Sequence, residues 1–102
     1  MSDINTVVRH AVIRGLVQGV GFRVWTESTA LAHGLDGWVR NRRDGAVEAV
    51  FAGPPSRVTA MIEACEKGPN GARVDSVDHW IAASSALAPR RSGEQFSVLP
   101  TV

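Results

Sequence analysis

Apolar residues recur along this chain in two rhythms, one near every second position and one near every third or fourth. Val7 to Arg14 is rich in β-branched residues and partly alternating, which predicts a first strand. Phe22 to His33 contains neither Gly nor Pro and predicts a first helix, with Gly34 as its stop. Two stripes compete on that helix: Phe22, Trp25, Thr29 and Ala32, or Val24, Leu31 and Leu35. Periodicity does not choose between them. Gly37 to Arg42 predicts a second strand centred on Trp38 and Val39. Arg43-Asp44-Gly45 then reads as a tight hairpin turn, with Asp-Gly as the signal. Ala46 to Ala52 follows as a third strand, with Val47, Ala49 and Phe51 on one face.

Gly53-Pro54-Pro55-Ser56 opens a second helix, since proline is tolerated in a first helical turn. Val58, Met61, Ile62 and Cys65 make its apolar stripe, and Gly68-Pro69 stops it. Val74 to Ala82 predicts a fourth strand, Ser84 to Glu94 a polar loop, and Gln95 to Leu99 a short last strand. Met1 to Thr6 is polar and reads as a frayed start. The order β-α-β-β-α-β plus a short C-terminal strand is an α+β class: the ferredoxin-like split βαβ sandwich. It sets two helices on one face of an antiparallel sheet. One domain over residues 1–102 is expected from this length.

Composition narrows the choice of function. The net charge is +1, from eleven basic and ten acidic residues, which gives no basic excess for nucleic acid to find. Lys67 is the only lysine; arginine suits bidentate anion binding, but a GC-rich genome produces the same bias and is the weightier reading. Cys65 is the only cysteine, so no intramolecular disulfide forms and a reducing, cytoplasmic compartment is expected. The start lacks a secretory pattern, and no apolar run approaches the ~18 residues of a membrane span.

Two segments carry candidate chemistry. The first is Gly15-Leu16-Val17-Gln18-Gly19-Val20-Gly21-Phe22-Arg23, between a strand and a helix. Glycines let successive backbone N–H groups turn inward as an anion nest. The helix that follows adds its own unpaired N–H groups and partial positive charge. Arg23 in the first turn can clasp the same anion bidentately. No Lys-Ser/Thr pair follows, so this is not a nucleotide-binding Walker loop. Val24 stands where a dinucleotide fingerprint needs glycine. Taken alone, the segment is equally a plain strand-to-helix turn with Arg23 in solvent.

The second is Gly37-Trp38-Val39-Arg40-Asn41-Arg42-Arg43-Asp44-Gly45-Ala46-Val47. Strands joined by a helical crossover run parallel, so the first two strands end at the same sheet edge. Asn41 is thereby brought toward the glycine loop, on the face of Val39 and opposite Trp38, Arg40 and Arg42. Its amide can accept from a water and donate to a phosphoryl oxygen. On residue type alone, an asparagine that merely shapes the turn is the commoner case.

Together these segments, at this spacing and in this element order, resemble the acylphosphatase family. The resemblance runs from about Val7 to Phe96 and takes in both long motifs, Gly15 to Arg23 and Gly37 to Gly53. It implies hydrolysis of acyl phosphates to carboxylate and inorganic phosphate, without metal, cofactor or covalent intermediate. It implies that Arg23 and Asn41 are the catalytic pair. Arg23 would bind phosphate with the backbone amides of Leu16, Val17, Gln18, Gly19, Val20 and Gly21, and Asn41 would position the attacking water. Expected partners are a small acyl phosphate and inorganic phosphate, the latter as product and competitive inhibitor. No nucleic acid or membrane partner is expected, and the chain is expected to be a monomer. The chain departs from the family after Phe96, where Ser97-Val98-Leu99-Pro100-Thr101-Val102 replaces the usual basic or aromatic strand. That puts a C-terminal contact to Arg23 in doubt.

His10, His33 and His79 show no metal-ligand spacing and read as structural or solvated. Trp25, Trp38 and Trp80 read as packing residues, and Arg40, Arg42 and Arg43 as a solvated basic face. Ala88-Pro89-Arg90-Arg91 suggests no role. Two other readings stay open: a non-catalytic phosphate- or RNA-binding module on the same fold, and a domain of a larger carbamoyl-transfer system. The central strands offer only Phe51 for base stacking, and a short free-standing chain is expected to work alone.

Overall fold

A computed structural model describes residues 5–102. The elements are β1 (Val7–Leu16), α1 (Phe22–Ala32), β2 (Asp36–Asn41), β3 (Val47–Gly53), α2 (Pro55–Lys67), β4 (Arg73–Ile81) and β5 (Phe96–Val98). The expected β-α-β-β-α-β order is present, with boundaries shifted by a residue or two. Of the polar start, Met1 to Ile4 lie outside the described residues.

The sheet order is β4-β1-β3-β2-β5. β1 and β2 both run antiparallel to β3, so they point the same way and end at the same edge. β5 pairs with β2 in parallel, which makes the sheet mixed. The ferredoxin-like core is antiparallel, and the parallel pair is an addition at its edge.

Strand alternation sorts the residues. Ala11 and Ile13 of β1, Val39 of β2, and Val47, Ala49 and Phe51 of β3 face the helices. They meet Val58, Met61, Ile62 and Cys65 of α2, the stripe expected from spacing. Each large apolar side chain taken from water there stabilises the fold by about 1.5–3 kcal/mol before entropy is counted.

Helix α1 corrects both expected stripes. Its buried line is Phe22, Thr26 and Ala30, with Trp25 packed edge-on against Phe22 at 5.3 Å between ring centroids. Val24 and Leu31 are 65% and 44% exposed, although both are apolar. The buried position went to a threonine because its hydroxyl donates to the Phe22 carbonyl one turn back, at 2.8 Å. A satisfied hydroxyl can be buried cheaply, and a count of apolar residues passes over it.

The opposite face of the sheet is partly covered. A 3-10 turn at Ser84–Leu87, inside the expected polar loop, lays Ala86 and Leu87 against Trp38, Val50 and Leu99. The Trp38 indole N–H donates to the Ala86 carbonyl at 2.7 Å. Beyond Phe96 the chain follows β2: Leu99 N–H donates to Val39 O and Val102 N–H to Asn41 O. The C-terminal segment thus braces the backbone of β2, and it makes no bond to the Arg23 side chain.

Candidate active site

The glycine loop connects β1 to α1 at the sheet edge where β2 also ends. Gly19 and Gly21 have φ of 76° and 78°, the left-handed region that a Cβ disfavours. Gly21 caps α1 in that conformation with no side-chain cap. The first intrahelical bond runs from Trp25 N–H to Gly21 O, at 3.1 Å. The N–H groups of Phe22, Arg23 and Val24 therefore precede the helical ladder. No acidic side chain stands in that first turn to compete for them.

A cleft of about 110 Å³ opens there, and Gln18, Gly19, Gly21, Arg23 and Asn41 are among its walls. Arg23 comes from the first turn of α1 and Asn41 from the last position of β2. Val17 also lines it, with its side chain anchored in the core. Leu16 closes β1 opposite Arg73 and Val20 packs toward the core, and neither is in the cleft wall. Among the described residues, neither the Arg23 guanidinium nor the Asn41 side-chain amide has a hydrogen bond or ion pair.

The neighbouring charges are committed elsewhere. Arg42 and Arg14 pair with Asp44, at 2.9 and 3.7 Å. The Ala46 N–H bond to Asp44 holds that carboxyl below its ordinary value, with Arg42 and Arg14 adding to the effect. Arg40 and His10 both reach Glu48, at 2.9 and 2.6 Å. Glu48 is buried; burial pushes its carboxyl up, but the hydrogen bonds from Arg40 and His10 outweigh that and hold it low. Arg40 also lies over the Trp38 ring at 4.6 Å, and His10 stacks on Trp80 at 4.8 Å. The expected solvated basic face is therefore corrected: two of its three arginines are in ion pairs, because Glu48 and Asp44 stand one strand or one turn away. Arg43 alone of the three keeps a side chain with no described partner.

A larger surface concavity, of about 680 Å³, lies over residues 84–95. Its Arg90 and Arg91 guanidiniums donate to the carbonyls of Gln95 and Val98. The smaller cleft differs from it in being lined by residues whose N–H groups, guanidinium (Arg23) and side-chain amide (Asn41) have no described partner. Among the described residues no three His, Cys, Asp or Glu side chains gather as a metal site. No helix among them is long and apolar enough to cross a membrane.

One feature of the cleft escaped the sequence. The Gln18 side chain donates to the carbonyls of Arg42 and Ala46, at 2.7 and 2.9 Å. Its partners are 24 and 28 positions away and are backbone atoms, so residue types carry no signal for the contact.

The fold is that of a ferredoxin-like domain with a glycine-rich first βα loop. The acylphosphatase family model matches residues 9–91. An acylphosphatase of Bradyrhizobium diazoefficiens is 54% identical over 99 residues, covering 97% of this chain and all of that protein. The structure of an acylphosphatase from Coxiella burnetii superposes with a TM-score of 0.84 at 28% identity, over 97% of this chain and 98% of that one. That of the Bacillus subtilis acylphosphatase gives 0.79 at 31% identity, over 91% and 98%. The chain belongs to the acylphosphatase family, and it is an enzyme of that activity.

Proposed function

We propose that this enzyme hydrolyses the carboxyl–phosphate bond of small acyl phosphates, with Arg23 binding the phosphate and Asn41 positioning the attacking water. The observation that supports this reading is the meeting of Arg23 and Asn41, both unengaged, in one cleft floored by the glycine loop. The amides of Val17, Gln18, Gly19 and Gly21, which line the cleft, complete the phosphate cradle, and those of Leu16 and Val20 stand outside its wall.

The chemistry asks little beyond position and charge. Water oxygen attacks phosphorus, and the bond from phosphorus to the acyl oxygen breaks. The carboxylate leaves with the electron pair; its acid has a pKa near ~4, so no general acid is required. Arginine and the loop amides hold the charge of the phosphoryl oxygens in a preorganised frame. Asn41 accepts from the water with its carbonyl oxygen and donates to a phosphoryl oxygen with its amide. The proton of the water passes to a phosphoryl oxygen of the substrate. Inorganic phosphate fits the same cradle and competes with substrate. The protein works as a monomer without metal or cofactor in the cytoplasm, where Cys65 stays reduced.

Benzoyl phosphate hydrolysis in ¹⁸O-labelled water, with chelator present, tests the reading. Turnover with one label per phosphate and none in benzoate is the expected result. Label in benzoate would mean attack at the carbonyl, and loss of turnover with chelator would mean a required metal.

A further inference from the structure

We infer that the Gln18 side chain is a positioning residue, which locks the phosphate loop to the β2–β3 hairpin and so sets Asn41 at the right distance from the bound phosphate. The inference rests on the roles proposed above for Arg23 and Asn41. Its basis is the use of both amide hydrogens of one half-buried side chain. Gln18 Nε2 donates to Arg42 O at 2.7 Å and to Ala46 O at 2.9 Å, the two carbonyls that frame the hairpin turn.

These carbonyls do not need Gln18 to be satisfied. Arg42 O already accepts from Gly45 N–H at 3.1 Å, and Ala46 O from Arg42 N–H at 2.8 Å. A carbonyl has two lone pairs, and Gln18 takes the second of each. The turn closes by itself, so these bonds serve to join two segments and not to form either.

The need for a join follows from how the site is divided. The phosphate cradle is one continuous stretch, from the loop into the first turn of α1. Asn41 belongs to a different body, the strand held by β3 on one side and by Val102 N–H on the other. In-line attack depends on the distance between the two bodies, and a displacement of ~1 Å can cost about 10²-fold in rate. Gln18 bridges them directly, next in the chain to Gly19 at the cleft and one residue beyond Asn41 at the hairpin.

The test compares Gln18→Met, similar in length and without donors, and Gln18→Leu, also neutral and without donors, so that neither variant adds charge to the cleft wall. Each is made in the wild type and in Asn41→Ala. The readouts are kcat for benzoyl phosphate, Ki for inorganic phosphate, and circular dichroism for folding. In the wild type, kcat should fall about 10-fold or more while Ki moves less than about 3-fold, because only alignment is lost. In Asn41→Ala the same changes should cost less than about 2-fold, since residues acting as a unit are non-additive. An unchanged kcat, a Ki that rises in step with the loss of kcat, or an equal loss in Asn41→Ala would each overturn the inference. So would failure of both variants to fold, since the hairpin carbonyls keep their backbone partners. An inactive wild type would overturn the underlying reading as well, which separates the two failures.

Discussion

Arg23, in the first turn of α1, and Asn41, at the end of β2, line one cleft, and neither side chain is engaged by another described residue. Their meeting follows from topology. β1 and β2 run the same way because both are antiparallel to β3. The loop that leaves β1 and the residue that ends β2 therefore share a sheet edge. Neither side chain has a bond to a described residue that it would have to break to meet a ligand.

Arg23→Ala should damage both binding and turnover. Among the described residues the guanidinium is the one cationic side chain in the cleft wall, while the loop amides would still offer a weaker cradle. Both KM for benzoyl phosphate and Ki for inorganic phosphate should rise, and kcat should fall. Steady-state kinetics with phosphate as inhibitor check this; near-normal values of all three would remove Arg23 from the phosphate site.

Gly21→Ala should destabilise the fold by about 1–2 kcal/mol, the cost of a Cβ in the left-handed region. An added Cβ at Gly21 meets no atom within 4 Å, so the penalty is conformational and not a clash. Urea denaturation should show a lower midpoint with the same slope. An unchanged midpoint would mean that the loop relaxes to another conformation at no cost.

How much of this was legible beforehand depends on the range of each interaction. The α2 stripe of Val58, Met61, Ile62 and Cys65 was readable because every member is apolar and local. The α1 line was not, because Thr26 is polar by type and buried through a bond to its own helix. Arg23 and Asn41 are singled out in the sequence only by two motifs at matching spacing, since each residue taken singly has a commonplace alternative; the structure adds that both line one cleft. The pairing of Arg40 and His10 with Glu48, the reach of Gln18 and the parallel pairing of the expected last strand with β2 were hidden. Each depends on which distant segments the fold sets side by side, which residue types do not encode one by one.

Glu48→Gln should reduce stability at neutral pH and flatten its acid dependence. The folded-state pKa of Glu48 lies below its unfolded value, so the folded protein binds fewer protons over that interval. The resulting stabilisation is present above the unfolded pKa, ~4.3 for a glutamate, and is lost as pH falls through the lower folded pKa. Asp44 acts with the same sign, but its side chain is 42% exposed and solvent screens its contribution. Denaturation at a series of pH values should show wild type and Glu48→Gln converging as the solution is made more acid. Curves that stay parallel from neutral into that acid range would contradict the assignment.

Cys65 should be inert in the native protein. Burial, with Glu66 adding to it, pushes its thiol up to about 12, so almost no thiolate exists at neutral pH. A disulfide reagent should label it only as the protein opens, at a rate that rises with denaturant. Rapid stoichiometric labelling without denaturant would show that α2 leaves the sheet far more often than its packing implies.

The most direct test is kcat for benzoyl phosphate in wild type and Asn41→Ala, measured with chelator and at saturating substrate. Wild type should turn over rapidly, and the variant should lose on the order of 10²-fold or more in kcat, as expected when one positioned polar group is removed. Its Ki for phosphate should change much less, because Arg23 and the loop are intact. A folded Asn41→Ala that keeps the wild-type kcat would contradict the claim that this amide positions the water.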